Sequence, residues 1–251
     1  MKVGYSIISR GSEKYLNHGY MGVSKIINNK QYLLDIDHNK KETSNLEHSM
    51  VFPAKYSIQN IAVSRFELIS ELAFNRINIS DNILILGFGN IGFSCLLNLL
   101  KKGYKKISVY SRNKYDISKL ENKYKIKIEF VDKITNDYDT YIDTTGNSKV
   151  LEDVFCAIKY LKEIVILSTP RDGSFKIDPL IINRKNISIY GCHELNGIDA
   201  GEREKSYCNL LEENKSIEDI IESFVNIHEY SNEKLQVLLN KKSNIIDIFQ
   251  Y

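Results

Sequence analysis

The 251-residue chain sets 34 Lys and Arg against 32 Asp and Glu, a net charge of +2, with 43% hydrophobic and 26% charged residues. That balance is ordinary for a globular protein, and it leaves no electrostatic footprint for nucleic acid or an anionic membrane as main partner. No apolar run approaches a membrane span or a secretion signal. Cys95, Cys156, Cys192 and Cys208 have no close pairing, which reads as reduced thiols in a cytoplasmic protein.

The first eighty residues read as a small β-rich unit. Residues 3–8 make a strand pattern, and Ser9-Arg10-Gly11-Ser12-Glu13 reads as a polar, glycine-broken turn. Gly19-Tyr20-Met21-Gly22 introduces a strand over 23–27, and Asn28-Asn29 makes a hairpin turn into 31–36. A polar stretch over 37–48 precedes Met50-Val51-Phe52-Pro53. Residues 57–75 then carry Ile58, Ile61, Ala62, Phe66, Ile69, Leu72 and Ala73 at helical spacing.

The stretch from Asn82 to Leu100 is the most informative. Ile83 to Leu86 is an apolar run without alternation, as in a parallel strand covered on both faces. Gly87, Gly89 and Gly92 follow as G-x-G-x-x-G, and an apolar helix pattern begins at once. Gly103 then leads into a second strand over 106–110, completing a βαβ unit. In a dinucleotide site Gly87 permits the tight turn, Gly89 admits a pyrophosphate, and Gly92 lets helix and strand pack closely. The phosphates would lie on the unpaired N–H groups of the loop, which includes Phe88, Asn90 and Ile91. A glycine turn in another α/β fold, such as a methyltransferase, is the bland alternative. It is disfavoured by the third glycine and by the absence of an acid after the second strand.

That strand ends Tyr110-Ser111-Arg112-Asn113-Lys114, with no carboxylate before Asp116. An acid near this point binds the ribose 2′-hydroxyl of NAD, whereas Arg suits a 2′-phosphate. Ser111, Arg112 and Lys114 therefore favour NADP(H) over NAD(H), unless Arg112 is an ordinary solvated loop residue.

Strands and helices continue to alternate. A helix is expected over 116–124, strands over 126–131 and 139–143, a helix over 150–161, and strands over 163–167 and 186–190. The strand ends Thr144-Thr145-Gly146 and Ser168-Thr169-Pro170 are candidate cofactor contacts. The pattern predicts an α/β fold, with a doubly wound, parallel six-stranded sheet binding ligand at the strands' carboxyl ends. Beyond Gly201 the chain reads as helical over 202–214, 216–227 and 232–241, closing with a strand over 244–249.

The whole arrangement resembles the medium-chain dehydrogenase/reductase superfamily, in particular its zinc-lacking branch around bacteriochlorophyllide a dehydrogenase. Tyr5-Ser-Ile-Ile-Ser-Arg-Gly-Ser-Glu13, Gly19-Tyr-Met-Gly22 and Ile142-Asp-Thr-Thr-Gly146 carry the likeness. The resemblance implies a truncated, β-rich (GroES-like) catalytic domain over 1–56, completed by 201–251, and a dinucleotide-binding domain over 57–200. Much of the usual amino-terminal domain is missing, so the pocket is expected to be more open or completed by another subunit. Zinc-dependent relatives have Cys where this chain has Ser9, and His-Glu where it has Tyr20-Met21. These residues cannot supply a zinc site, so no metal is expected.

Without zinc, carbonyl reduction needs hydrogen-bond donors and a proton source. Matching family segments face the nicotinamide, which makes Tyr20, Ser9, Arg10 and Glu13 the candidate catalytic set, with His193 after the sixth strand as reserve. The plain reading pairs Arg10 with Glu13 to hold the turn, puts Tyr20 in the core and makes His193 structural. His18, His38, His48 and His228 show no constellation. The expected activity is NADP(H)-dependent, zinc-independent hydride transfer to or from the carbonyl or alcohol carbon of a small metabolite, in a biosynthetic role. Alternatives are reduction of an activated C=C or C=N bond, or an eroded nucleotide-binding scaffold. The resemblance also implies a homodimer paired through the sixth strand.

Overall fold

The computed structural model describes residues 1–16, 19–170, 176–240 and 245–251. His18, residue 241 and residue 244, each named in an expectation above, lie outside this set. Twelve strands occur among the described residues: β1 (Val3–Ile8), β2 (Gly22–Ser24), β3 (Lys30–Leu34), β4 (Met50–Pro53), β5 (Ile83–Leu86), β6 (Ile107–Tyr110), β7 (Glu129–Val131), β8 (Thr140–Asp143), β9 (Glu163–Ile166), β10 (Ser188–Gly191), β11 (Val225–Glu229) and β12 (Ile246–Gln250). The chain divides into two units, Met1–Leu68 with Ile198–Tyr251, and Ile69–Gly197.

In the second unit β5 has all four residues fully buried, as its unbroken apolar pattern requires. All strands of this sheet run parallel, in the order β10-β9-β8-β5-β6-β7. Relabelled from β5 onward, that is the 3-2-1-4-5-6 order of the Rossmann fold. The chain reverses its direction of winding between β5 and β8, so the topological switch point lies at the end of β5. The helix Asn90–Lys101 buries Phe93, Leu96, Leu97, Leu99 and Leu100. The helix Pro179–Lys185 was not anticipated, although its signals are present in the sequence. Asp178 caps it by accepting from the Leu180 N–H, Pro179 occupies the first turn, and Asn186 closes it at φ 49°.

The first unit holds a six-stranded sheet ordered β11-β12-β1-β2-β3-β4. β12 is antiparallel to β1, with Tyr5 opposite Gln250 and Ile8 opposite Asp247, and parallel to β11. The hairpin turn Asn28-Asn29 has φ of 50° and 60°, the left-handed pair demanded by a two-residue turn between twisted strands. The helix Ala200–Asn214 docks on the helix Ile58–Ser70. Tyr207 donates its hydroxyl to the Ile61 carbonyl at 2.9 Å, and the Asn214 amide donates to Ser64 and Glu67.

Two expectations are corrected here. Ser9 to Glu13 is not a turn, because Arg10–Leu16 is helical. Gly11 and Ser12 lower helix propensity, but the Glu13 carboxylate reaches back to the Ser9 N–H at 2.7 Å. That contact resembles the return arm of a capping box. The helix predicted over 216–227 ends at Glu222, and Val225–Glu229 is a strand. Its apolar residues fit helical spacing in isolation, yet pairing with β12 satisfies its backbone.

Phe249 is fully buried beneath the edges of His38, His228 and Tyr230, with ring centroids 5.2 to 6.3 Å away. Replacing it with Ala removes a large buried side chain and leaves a cavity, typically about 3–5 kcal/mol. Urea unfolding of Phe249→Ala is expected to show a loss of that size, whereas Ile227→Ala, at a half-exposed site, stays within about 1 kcal/mol.

Candidate functional site

The register of the parallel sheet brings the candidate cofactor residues to one edge. Leu86 stands opposite both Tyr110 and Asp143, and Asp143 opposite Ile166. Gly87, Ser111, Thr144 and Leu167 therefore emerge side by side, where a doubly wound sheet binds ligands.

Each glycine of the loop has a distinct constraint. Gly87 has φ of +95°, and a Cβ there would meet the Thr145 side chain at 2.7 Å. On Gly92 a Cβ would lie 2.3 Å from the Gly87 carbonyl oxygen and 2.9 Å from Thr144 Oγ1. A Cβ on Gly89 would meet nothing within 4 Å. Gly89 also precedes the helix Asn90–Lys101 as its cap and offers no side chain to the first-turn N–H groups. The result is an open cradle lined with amide donors at the positive end of a twelve-residue helix.

Sequence reasoning passed over the residue that ties this edge together. Asp143 is fully buried; its Oδ1 accepts from the Thr145 N–H and hydroxyl, at 2.8 and 2.6 Å, and its Oδ2 accepts from the Ser168 hydroxyl at 3.1 Å. Thr144 turns its hydroxyl inward to the Leu86 and Gly87 carbonyls. Gly146, at φ +60°, lies against Thr169, whose carbonyl oxygen a Cβ would approach to 2.3 Å. Thr169 and Pro170 are exposed. An acid ending an otherwise apolar strand, just before two threonines, was the available signal.

Phe88 contributes its backbone to the loop, since its ring is buried against Phe93, Tyr115 and Phe130 at 5.1 to 6.1 Å. Tyr115 thereby anchors the segment that follows β6. In that segment Arg112 and Lys114 are exposed, and the Ser111 hydroxyl accepts from the Asn113 N–H at 3.2 Å. Asp116 accepts from the Ser118 N–H, which holds its carboxyl below the usual carboxylate range. That acid thereby bonds the first residue of the helix Ser118–Tyr124.

Arg10, Glu13 and the Ser9 N–H belong to a buried polar network of the first unit. Ser9 is 5% exposed, and Tyr20 is half-buried. Arg10 and Glu13 do not pair with each other. Arg10 pairs with the buried carboxylate of Asp247, which also accepts from His228 Nε2 at 2.8 Å. Glu13, 2% exposed, is bonded through Oε2 to His38 Nε2 at 2.8 Å. The other ring nitrogen of His38 contacts Ser6 Oγ at 2.9 Å, and Ser6 in turn contacts the Tyr251 hydroxyl at 2.7 Å. Burial pushes the Tyr251 phenol up to about 12, so it stays protonated at neutral pH.

His38 and His228 therefore do have constellations, contrary to expectation. Partners 25 and 32 residues away in sequence hide the first from any spacing rule. The inward alternation Leu34, Ile36, His38, all buried, was the legible clue.

His193 is exposed after β10, and its carbonyl accepts from the Asn196 and Gly197 N–H groups. Burial raises the neighbouring Cys192 thiol, which disfavours its nucleophilic thiolate form. A cavity of about 600 Å³ in the first unit is lined by Tyr5, Lys25, Gln31, Tyr56 and Tyr251 among others, and by none of the candidate catalytic residues. Among the described residues no group of three or more His, Cys, Asp or Glu side chains is arranged to hold a metal, and no helix is long and apolar enough to cross a membrane.

Comparison with known proteins shows that residues 82–172 match the family described as NADP oxidoreductase, coenzyme F420-dependent. A glutamyl-tRNA reductase from Exiguobacterium is 26% identical over 126 residues, covering 46% of this chain. The chain spans only 27% of the length of that relative. Among solved structures, E. coli K-12 YhdH with bound NADPH is similar at a TM-score of 0.72 and 12% identity, covering 99% of this chain and 90% of that one. Bacillus subtilis yhfP with bound NAD gives 0.71 and 13%, covering 100% and 90%. S. aureus TarJ in complex with NADPH gives 0.64 and 14%, covering 99% and 90%. At such identities the likeness speaks for the fold, a Rossmann sheet with a β-rich unit.

The contrast between two glycines is testable by denaturation. Gly92→Ala drives a methyl into a backbone carbonyl and is expected to cost about 1–3 kcal/mol. Gly89→Ala, opening into free space, stays within about 0.5 kcal/mol.

Proposed function

We propose that the chain is an oxidoreductase of the medium-chain type, transferring a hydride between NADP(H) and the carbonyl or alcohol carbon of a small metabolite without zinc. The observation that carries this reading is the open Gly89 cradle on a helix N-terminus, set at the switch point of a 3-2-1-4-5-6 sheet. Those residues fit a dinucleotide, whose nicotinamide ring supplies or accepts the hydride when bound. The amides of the loop hold the pyrophosphate, and Thr145 and Ser168, fixed by Asp143, border the cofactor. Arg112, aided by Ser111 and Lys114, meets the 2′-phosphate. Structures similar to this chain were solved with NADP(H) and with NAD, so the preference rests on Arg112 and on the engagement of Asp116 by the Ser118 N–H.

Zinc independence rests on the resemblance, which sets Ser9, Tyr20 and Met21 where zinc-dependent relatives carry ligands, and these side chains are poor zinc ligands. The reacting oxygen then needs a donor from the protein. Ser9 and Tyr20 are the proposed donors. Among the described residues neither hydroxyl is engaged by another protein group. The likeness to the bacteriochlorophyllide a dehydrogenase branch, a cytoplasmic location and pairing of two copies through β10 belong to the same proposal. β10 is an edge strand with Ile189 exposed, the kind of edge that invites association.

Calorimetry tests the cofactor. NADPH is expected to bind wild type and to lose measurable binding in a folded Gly89→Val variant; undiminished binding would overturn the assignment. Arg112→Ala is expected to weaken NADPH by about ten- to a hundredfold, the loss of one charged hydrogen bond, and to leave NADH nearly unchanged. Equal losses would show that Arg112 does not read the phosphate. Metal analysis of untagged protein is expected to find no stoichiometric zinc, and light scattering at micromolar concentration a dimer mass.

A further inference from the structure

His38 lies within the first unit at the meeting point of two segments that are separate in sequence. On one side its Nε2 bonds the Glu13 carboxylate at 2.8 Å, and the other oxygen of that carboxylate accepts from the Ser9 N–H at 2.7 Å. On the other side the ring packs on Gly19, where an added Cβ would lie 2.6 Å from ring carbon Cδ2. The Gly19 N–H donates to the Asp37 carboxylate, one residue before His38, at 3.2 Å. Gly19 leads directly into Tyr20. One buried imidazole, 1% exposed, thus touches the supports of both proposed donors.

Both nitrogens of the ring are engaged. The Tyr251 hydroxyl donates to the His38 carbonyl, which can only accept. The Ser6 proton therefore goes to Tyr251, and Ser6 Oγ accepts from Nδ1–H of His38. The remaining nitrogen bonds the Glu13 carboxyl, so a carboxyl group buried inside the unit has a polar partner. Two hydrogen bonds, one at each ring nitrogen, and a close-packed glycine fix the orientation of the ring.

We infer that His38 is a positioning residue, fixing the Ser9 donor through Glu13 and the Tyr20 donor through Gly19. The inference rests on the proposed role of Ser9 and Tyr20 as donors to the reacting oxygen, and it adds the group that sets their geometry. His38 touches no substrate in this scheme. Its effect reaches the chemistry only through the two segments it holds.

The test uses the full chain and the variants His38→Gln, Glu13→Gln and their combination. In His38→Gln, amide hydrogen exchange at both Ser9 and Gly19 is expected to quicken by about ten- to a hundredfold, because Glu13 loses its ring partner and Gly19 loses the ring it packs on. Ile7 and Ile248, paired within the same sheet, keep their protection. The double variant is expected to be no worse than His38→Gln, because the residues act as one unit. With NADPH and 4-nitrobenzaldehyde as probe, kcat is expected to fall about tenfold or more while the NADPH dissociation constant is unchanged.

Unchanged exchange at Ser9 or at Gly19 would overturn the inference. So would equal loss of protection at Ile7 and Ile248, which would make His38 an ordinary core residue, and so would additive effects in the double variant. If wild type binds no NADPH, the oxidoreductase reading fails on its own evidence, and the exchange measurements still decide whether His38 ties the two segments.

Discussion

A Cβ on Gly92 would lie 2.3 Å from the Gly87 carbonyl oxygen, and the architecture of the second unit depends on that approach. The helix Asn90–Lys101 can begin against the end of β5 only because no side chain intervenes there. Bringing the two together places the first-turn N–H groups at the point where the sheet reverses its winding. Their partial positive charge is then concentrated where the strand ends Gly87, Ser111, Thr144 and Leu167 converge. A displacement of the helix by the width of a methyl group would carry the amides away from that convergence, so the packing contact and the binding chemistry are one constraint.

The first unit is held by another kind of force. Glu13 and Asp247 are buried carboxylates, and each is satisfied by two groups, His38 and the Ser9 N–H for one, Arg10 and His228 for the other. A buried carboxylate without partners costs several kcal/mol, so these pairings discriminate among chain arrangements more sharply than apolar burial does. An apolar residue can slide by one position and remain buried. A carboxylate with two fixed donors cannot. The register of β12 against β1, which sets Asp247 opposite Ile8, is specified in this way.

What could be read from the sequence divides along the same line. The βαβ unit from Ile83 to Tyr110 was legible because its determinants are local: an unbroken apolar run, three spaced glycines and an apolar helix face. The six-strand parallel sheet followed from repetition of that unit. Elements decided by distant partners were not legible. Val225–Glu229 is a strand because β12 lies beside it, and the helix Arg10–Leu16 has Glu13 tied to His38 and Arg10 to Asp247. The same limit applied to the site. The glycine loop is contiguous and was found, whereas Asp143, His38 and Asp247 act through residues that only the fold brings near. Each left a partial trace, a polar residue at an inward or apolar position whose partner the sequence did not identify.

The first unit is also discontinuous along the chain, with all of Ile69–Gly197 inserted between its two parts. Arg10 and its partner Asp247 are 237 positions apart. At about 5–20 residues per second of ribosomal synthesis, roughly 10–50 s separate their appearance. During that interval β1 has β2 on one side and nothing on the other, leaving the backbone edge of an apolar strand open to any neighbouring chain. The contiguous parallel sheet has its last strand, β10, made before β12. The sheet of the first unit therefore cannot close until β12 is made, and until then one edge of β1 has no strand to pair with.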